Sequence, residues 1–519
     1  MTTTEKYNCR CLAAALRFYG VSDVVVSPGS RNAPLVVAFA RTEGLRCHVV
    51  IDERSAAFIA LGMAIKSQSP VAVCCTSGSA PLNYGPAFAE AFYRHIPLIA
   101  ITADRPEEWI DQDDSQTIRQ HGCLAAVAKG CFDLPVCRGD EELRRLIRRR
   151  TSDALMLASS GTKGPVQINV RIDEPINALA EAASAEFSFP CFLNEMCGID
   201  TKALARDVAE ASGVLVIAGF MPPQPRLSAL LSALPGNVAV LCEAQSNLHG
   251  DFVHNIDATL SAMSAHEKDS LLHPDVVITL GGSLLSRMIK AELRSRPGIR
   301  HWCVGHADHC IDPLLHLDKR IDCDAVAFFE SLAASLRNFR ISSDYKHRWL
   351  AASDAGHERT LSFLTAAPWS DFAAMGQLSA SLPAECDLHL SNGTAVRYAQ
   401  LFPCKASRVE CNRGVSGIDG CTSTAIGSAM SGSSLTVLVS GDMCAQYDLG
   451  ALATTDIPAN FRLAVLNNSG GGIFRFINAT RDLPEMPRFL AADVRLPLRQ
   501  LADGFGFDYF EAADADTLA

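Results

Sequence analysis

An α/β fold class, with three doubly wound and mostly parallel-sheet domains, follows from three features of this sequence. Short β-branched runs alternate with helical stretches almost throughout, the pattern of parallel strands joined by helical crossovers. The runs fall into three sets, separated by two stretches where the alternation breaks. The length of 519 residues also exceeds what one hydrophobic core spans.

The first set reads "DVVVS", "HVVID", "VAVCCTS" and "IPLIAIT", with Gly, Ser and Pro in its loops, and marks a domain over 1–180. The opening "MTTTEKYNCRCLAAALRFYG" interleaves Lys6 and Arg10 with apolar residues, which predicts an amphipathic helix and not a signal peptide. The Ala/Ser-rich stretch 178–195 has weak periodicity and predicts a linker. The second set, "VLVIAGF", "VAVLCEA", "VVITLGG" and "IRHWCVG", marks a domain over 195–340. The pattern breaks again around 340–370. The third set, "CDLHLSNG", "RVECNRG", "LTVLVSGD" and "RLAVLNN", marks a domain over 360–519. The final "FDYFEAADADTLA" reads as a strand and then a helix cap with almost no helix after it, as in a shortened last element.

Composition narrows the function classes. Apolar residues at 48% and charged residues at 20% describe an ordinary soluble globular protein, and no apolar run approaches the ~20 residues of a membrane helix. A net charge of −11 argues against nucleic acid as a partner and requires a local Arg or Lys cluster for any anionic ligand. The 19 cysteines form no C-x-x-C framework, and some, such as Cys74 and Cys75, lie inside expected strands. They read as small buried hydrophobes in a reducing cytoplasm. "HWCVGHADHC" (301–310) fits no zinc-finger spacing and reads as a loop with buried cysteines.

The most specific signal is "LTVLVSGDMCAQYDLGALATTDIPANFRLAVLNNSGGGIF". One strand ends in Gly441-Asp442, a helix crosses over, and the next strand ends in Asn467-Asn468. A right-handed crossover puts both ends on one sheet edge, where ligands bind in open α/β sheets. Asp442 and Asn468 then present hard oxygens side by side, with a backbone carbonyl at Gly470 as a third, a set suited to Mg²⁺ held with phosphates. Each half alone reads equally as a turn; the pairing at consecutive strand ends favours the metal.

Polar residues recur after other strand ends: Ser30 and Arg31, then Arg105, Gln116 and Arg119, then Arg287, then Asn392, Thr394 and Arg397, then Arg413 followed by Ile418. Any one arginine serves equally well as a cap or a surface ion pair. Gathered in an acidic chain, they point to a substrate with several carboxylates, which guanidinium groups bind in bidentate fashion. Glu53 opens an apolar helix straight after a strand. A bare charge there is costly without a partner, and the ordinary reading is an acid favouring the helix dipole.

Gly-Asp followed by a spacer and Asn-Asn resembles the motif of thiamin diphosphate (ThDP) enzymes, with Met443 where the commonest form has Gly. "SPGSRNAPL", "IDERSAAFIALGMA", "TSGSAPLNYGPAFAEAFY", "ITADRP", "NRGVSGIDG" and "NNSGGGIF" resemble the 2-succinyl-5-enolpyruvyl-6-hydroxy-3-cyclohexene-1-carboxylate (SEPHCHC) synthases of menaquinone biosynthesis. The likeness is strong in the first and third domains and loose in the middle one. It implies domains of the ThDP-enzyme type: pyrimidine-binding, Rossmann-like and diphosphate-binding, in that order. It implies that Glu53 activates the cofactor's aminopyrimidine. Asp442, Asn468 and the Gly470 carbonyl, next to Gly441, would hold Mg²⁺, with Mn²⁺ as an alternative ion. Ile418 would prop the cofactor into its bent form.

By the same resemblance, Ser30, Arg31, Arg105, Gln116, Arg287, Asn392, Thr394, Arg397, Arg413, Ile473 and Phe474 line the substrate site, with Glu53, Arg31, Gln116, Arg397 and Arg413 as the catalytic set. The implied reaction decarboxylates 2-oxoglutarate and adds the succinyl unit to isochorismate. The implied assembly is a homodimer or dimer of dimers, with Glu53 and the metal motif of each site on different subunits. Met288 and Gly393 depart from the commoner basic residue and Ser. The runner-up is another ThDP-dependent 2-oxo acid enzyme, although His121 stands alone where decarboxylases pair two histidines. A non-catalytic binding protein on this scaffold comes third.

Overall fold

The computed structural model describes residues 2–181, 187–190, 201–306, 311–454 and 457–518. The N-terminal stretch contains β1 (Thr2–Thr4), β2 (Asp23–Val26), β3 (Arg46–Val49), β4 (Val71–Cys75), β5 (Leu98–Asp104), β6 (Gly130–Leu134), β7 (Val166–Arg171) and β8 (Leu179–Glu181). Six of these form a parallel sheet in the order β3-β2-β4-β5-β7-β6. The middle stretch adds β9 (Val214–Ala218), β10 (Val238–Cys242), β11 (Val276–Leu280), β12 (Arg300–Val304) and β13 (Leu317–Ile321), a parallel sheet ordered β10-β9-β11-β12-β13. The last stretch holds β14 (Asp387–Leu390), β15 (Arg408–Cys411), β16 (Thr436–Gly441) and β17 (Phe461–Leu466), ordered β15-β14-β16-β17.

Continuous Val/Ile/Leu runs form the central strands because helices cover both faces of such sheets; β2, β4, β9 and β11 are buried along their whole lengths. All three sheets share one winding. The first strand lies between the second and third, so crossovers leave it in opposite directions and a crevice opens at its carboxyl end. Those crevices are at β2/β4, β9/β11 and β14/β16.

By packing, the chain divides into two compact units. The first joins Met1–Asn194 to Asn412–Leu438 and Met443–Leu463; the second joins Glu195–Cys411 to Val439–Asp442 and Ala464–Ala519. Strands β16 and β17 each begin in the first unit and end in the second. In the first unit, helix Glu53–Ser67 is buried from Ser55 to Ile65 and packs backbone to backbone on helix Cys421–Met430. A methyl group on Gly62 would lie 2.0 Å from the Thr424 carbonyl oxygen, and one on Gly427 would lie 2.0 Å from that of Ile59. Glycine is therefore what permits this approach. In the second unit, Val216, Ile278, Trp302, Phe328 and Phe329 fill one side of the β9–β13 sheet, and Leu241, Tyr345 and Trp349 lie in the cluster on the other.

Four local expectations need correction. The opening residues are not helical throughout: Thr2–Thr4 is a strand, and the helix runs Tyr7–Phe18. The expected linker 178–195 begins instead with β8, which pairs antiparallel with β1. Phe187 and Phe189 then pack on the N-terminal core, with Phe187 5.4 Å from the Tyr7 ring; 182–186 and 191–195 lie outside the described residues. The break at 340–370 is largely one helix, Tyr345–Ala366, whose long exposed face hides its period. "FDYF" forms no strand: Phe510 is 90% exposed and meets no strand partner among the described residues. The described cysteines are free thiols, most of them buried. His301 bonds Thr279 and Asp312, and His306 pairs with Asp322; 307–310 lie outside the described residues. No described helix is long and apolar enough to cross a membrane.

Candidate active site

In the first unit the β3 strand stops at Val49, and Asp52 caps the next helix by accepting from the backbone N–H of Arg54 (2.9 Å) and Ser55 (3.2 Å). The capping acid is therefore Asp52. Glu53, the first helical residue, is half-buried and not engaged in the cap. Its charge reaches the fully buried Cys75 and Tyr84. Burial first, then neighbouring charges including Glu53, pushes both groups well above their usual values, so both keep their protons.

Around the β2/β4 crevice, Ser30 is exposed, while Arg31 is buried, donating to the Ile172 carbonyl (3.0 Å) and pairing with Glu174 (3.0 Å). Arg105 donates to the Ser115 carbonyl (3.0 Å) and pairs with Asp114 (2.7 Å). Gln116, at φ +57°, donates to the Ser77 carbonyl (3.1 Å) at the end of β4. Arg105 and Gln116 are thus brought together, Arg31 turns toward the end of β7, and Arg119 pairs on the surface with Asp111.

The segment carrying Arg413 and Ile418 is fastened by a residue the sequence reading missed. Glu90, 1% exposed, accepts from the N–H of Gly414 (2.9 Å) and Val415 (2.8 Å). Burial raises its pKa, against the lowering pull of Arg94, these two N–H groups and Arg413. Ile418 is half-buried, and its carbonyl accepts from the Cys444 thiol (2.9 Å). Asp448, fully buried, accepts from the Ser423 N–H (2.7 Å) and hydroxyl (2.9 Å).

The second unit holds the oxygen-rich edge. At the β14/β16 crevice, Gly441 N–H donates to Ser391 Oγ (3.1 Å), and Asn392 accepts from the Cys411 thiol (3.6 Å). Gly393, at φ +107°, starts helix Thr394–Ala399 with Arg397 on it. Asp442 is 1% exposed and accepts from the Gly470 N–H (3.0 Å), tying the ends of β16 and β17 together. Gly470 has φ +149°, and a methyl group there would lie 2.5 Å from the Ala492 carbonyl oxygen, so no side chain fits. Asn468 donates its amide N–H to Asp371, leaving its carbonyl oxygen for another role. A methyl on Gly472 would lie 3.1 Å from the Asn468 amide nitrogen and 3.9 Å from Thr394 Cγ2. Ile473 and Phe474 follow in the turn Gly472–Arg475. Arg287, exposed, is the first residue of its helix.

This donor set fits a hard divalent ion. A buried carboxylate, an amide oxygen whose nitrogen is already held, and a glycine peptide with no room for a Cβ meet at adjacent strand ends. Among the described residues no group of three or more His, Cys, Asp or Glu is placed to hold a metal; two of the three donors here are of other kinds.

Known proteins resemble this chain along nearly its whole length. Residues 9–123 match the family "Thiamine pyrophosphate enzyme, N-terminal TPP binding domain". The 2-succinyl-5-enolpyruvyl-6-hydroxy-3-cyclohexene-1-carboxylate synthase of Porphyromonas gingivalis is 36% identical over 530 residues, covering 99% of this chain and 91% of that protein. This chain belongs to the SEPHCHC synthase family. Synthases of the same name from Flavobacterium psychrophilum (36% identical, 96% of this chain and 90% of that protein) and Desulfotalea psychrophila (35% identical, 95% and 90%) are similarly close. The middle sheet, β9 to β13, lies inside the Porphyromonas gingivalis match, which covers 99% of this chain.

Glu90 and Asp448 left signals that could have been read, each being an acid set in or beside apolar sequence, as Glu53 is. Their partners lie too far along the chain, or on backbone amides, for spacing to reveal them.

Proposed function

We propose that this synthase-family chain decarboxylates 2-oxoglutarate with ThDP and Mg²⁺, or Mn²⁺ in its place, and adds the succinyl unit 1,4 to isochorismate, releasing carbon dioxide and the SEPHCHC product. The observation that carries the proposal is the joint presence of Glu53, Asp442 and Asn468 at strand ends in a chain matched to named synthases along 99% of its length. When bound, ThDP would supply both the nucleophilic carbon and the cationic thiazolium ring that serves as sink for the electron pair left by departing carbon dioxide. Asp442, Asn468 and the Gly470 carbonyl would hold the ion that anchors the diphosphate. Glu53 exchanges a proton with the aminopyrimidine nitrogen. Ile418 would support the cofactor's bent form, and Gly441, where a methyl group would meet nothing within 4 Å, would leave room for it.

Both substrates are dianions near neutral pH, so the arginines do the positioning. Arg31, Arg105, Arg287, Arg397 and Arg413, with Ser30, Gln116, Asn392 and Thr394, would hold carboxylates and offset charge, Arg31 and Arg105 by exchanging Glu174 and Asp114 for substrate. Ile473 and Phe474 supply apolar wall. The assay is carbon dioxide release from 2-oxoglutarate with ThDP and Mg²⁺, with and without isochorismate, and mass analysis of the adduct. Adduct formation is expected. Turnover of pyruvate in place of 2-oxoglutarate would favour another ThDP enzyme, and no turnover of either a binding protein.

The working unit is a homodimer, or a pair of dimers, in the reducing cytoplasm, with Glu53 from one copy serving the metal donors of another; free thiols in place of disulfides fit that compartment. Mixing Glu53→Gln with Asp442→Ala protein, each inactive alone, regains activity if the acid acts across copies and stays inactive if it acts within one.

A further inference from the structure

The geometry points to Glu243 as a positioning residue that sets Arg287 and Arg397 relative to each other; this rests on the assignment of those two arginines to substrate. Glu243 follows β10, is 3% exposed, and lies within the second unit together with Gln245, Leu285 and Ser286. One carboxylate oxygen accepts from the Ser286 N–H (2.6 Å), the other from the Leu285 N–H (2.8 Å) and from the Gln245 amide (2.9 Å). A carboxylate holding two successive backbone amides fixes both the place and the tilt of that loop. The next residue is Arg287. Ser286 also caps the arginine's helix, accepting from the Ile289 N–H (3.2 Å) while its own hydroxyl is held by Asp257.

The same acid reaches Arg397 by a second route. Gln245 accepts from the Gln400 amide (3.0 Å), and Gln400 accepts from the Ala244 N–H (2.8 Å). Gln400 ends the short helix Thr394–Ala399 that carries Arg397. Arg397, Gln400, Glu243, Asp257 and Ser286 line one cavity of about 20 Å³, room for a single water. The segments that carry two arginines 110 residues apart in sequence (397 − 287) are thereby tied to one polar network. Arg287 and Arg397 bind carboxylates productively only at a set separation, because guanidinium pairing is directional.

The test is steady-state kinetics of the ThDP- and Mg²⁺-loaded enzyme. Glu243→Gln keeps the shape but turns an N–H₂ group toward a backbone N–H. It is expected to raise KM for a carboxylate substrate about tenfold, with kcat within about threefold and ThDP affinity unchanged. In an Arg287→Ala/Arg397→Ala background the same change adds nothing further to KM. Gln400→Ala, at a half-buried residue outside the substrate set, raises KM about threefold and decides the matter if Glu243→Gln fails to fold. Normal KM in both variants while Arg397→Ala raises it would overturn the role, and so would an effect of Glu243→Gln that adds in full to the double-arginine background. If Arg287→Ala and Arg397→Ala themselves leave KM unchanged, the substrate assignment falls and this role with it.

Discussion

The N-terminal and C-terminal sheets are wound alike, each with its first strand between its second and third, yet their carboxyl edges carry opposite chemistry. At the N-terminal edge the charged side chains are mostly occupied: Arg31 by Glu174, Arg105 by Asp114, and Asp52 by the helix it caps. Glu53, next to Asp52 in the chain, is half-buried and outside the cap. At the C-terminal edge, Asp442 and Gly470 are bound to each other, and Asn468 is held by Asp371. The fold dictates where a ligand goes; loop residues decide what is done to it. One edge gathers a buried carboxylate, an amide oxygen and a glycine peptide, and the other leaves one acid outside its helix cap.

That contrast breaks most visibly at Asp442. Asp442→Ala is expected to weaken ThDP binding at least about 100-fold in the presence of Mg²⁺. Chelation should do the same to the unaltered protein and nothing more to the variant, as read by calorimetric titration. Cofactor binding that ignores both changes would mean the two edges do not differ as described.

A smaller effect sharpens the comparison through the crossover that follows Asp442. Burial lifts the Asp448 carboxyl to about 6 despite its Ser423 hydrogen bonds and nearby Arg54, above its value of about 4 in an unfolded chain. A folded value above the unfolded one means the native state binds the proton more tightly. The resulting stabilisation is complete below about pH 4 and is lost as pH rises through about 6. Asn in this place keeps both contacts, because the Ser423 hydroxyl can reverse its role. Asp448→Asn is therefore expected to match the unaltered protein near pH 4 and to exceed it by about 1–3 kcal/mol at pH 8, measured by denaturant unfolding. An equal difference at both pH values would contradict the shift.

Much of this was legible before the structure. The strands could be read because continuous apolar runs mark sheets covered on both faces, and the placement of Asp442 and Asn468 on one edge because both follow consecutive strand ends. What stayed hidden has physical reasons. Glu90 acts on amides more than 300 residues away, at Gly414 and Val415, and no spacing rule spans that distance. Glu243 resembled any acid after a strand; only folding brings Leu285 and Ser286 to it. The β1–β8 ribbon has three residues on each side, too few to show alternation. "FDYF" has the alternation of a strand without an edge to join.

The most direct test of the division between a binding edge and an activating acid is one variant read two ways. In Glu53→Gln, ThDP titration with Mg²⁺ should give an affinity within about twofold of the unaltered protein, while turnover of 2-oxoglutarate with isochorismate falls by about 10²–10⁴. Full turnover in that variant, or loss of cofactor binding equal to that of Asp442→Ala, would contradict the account.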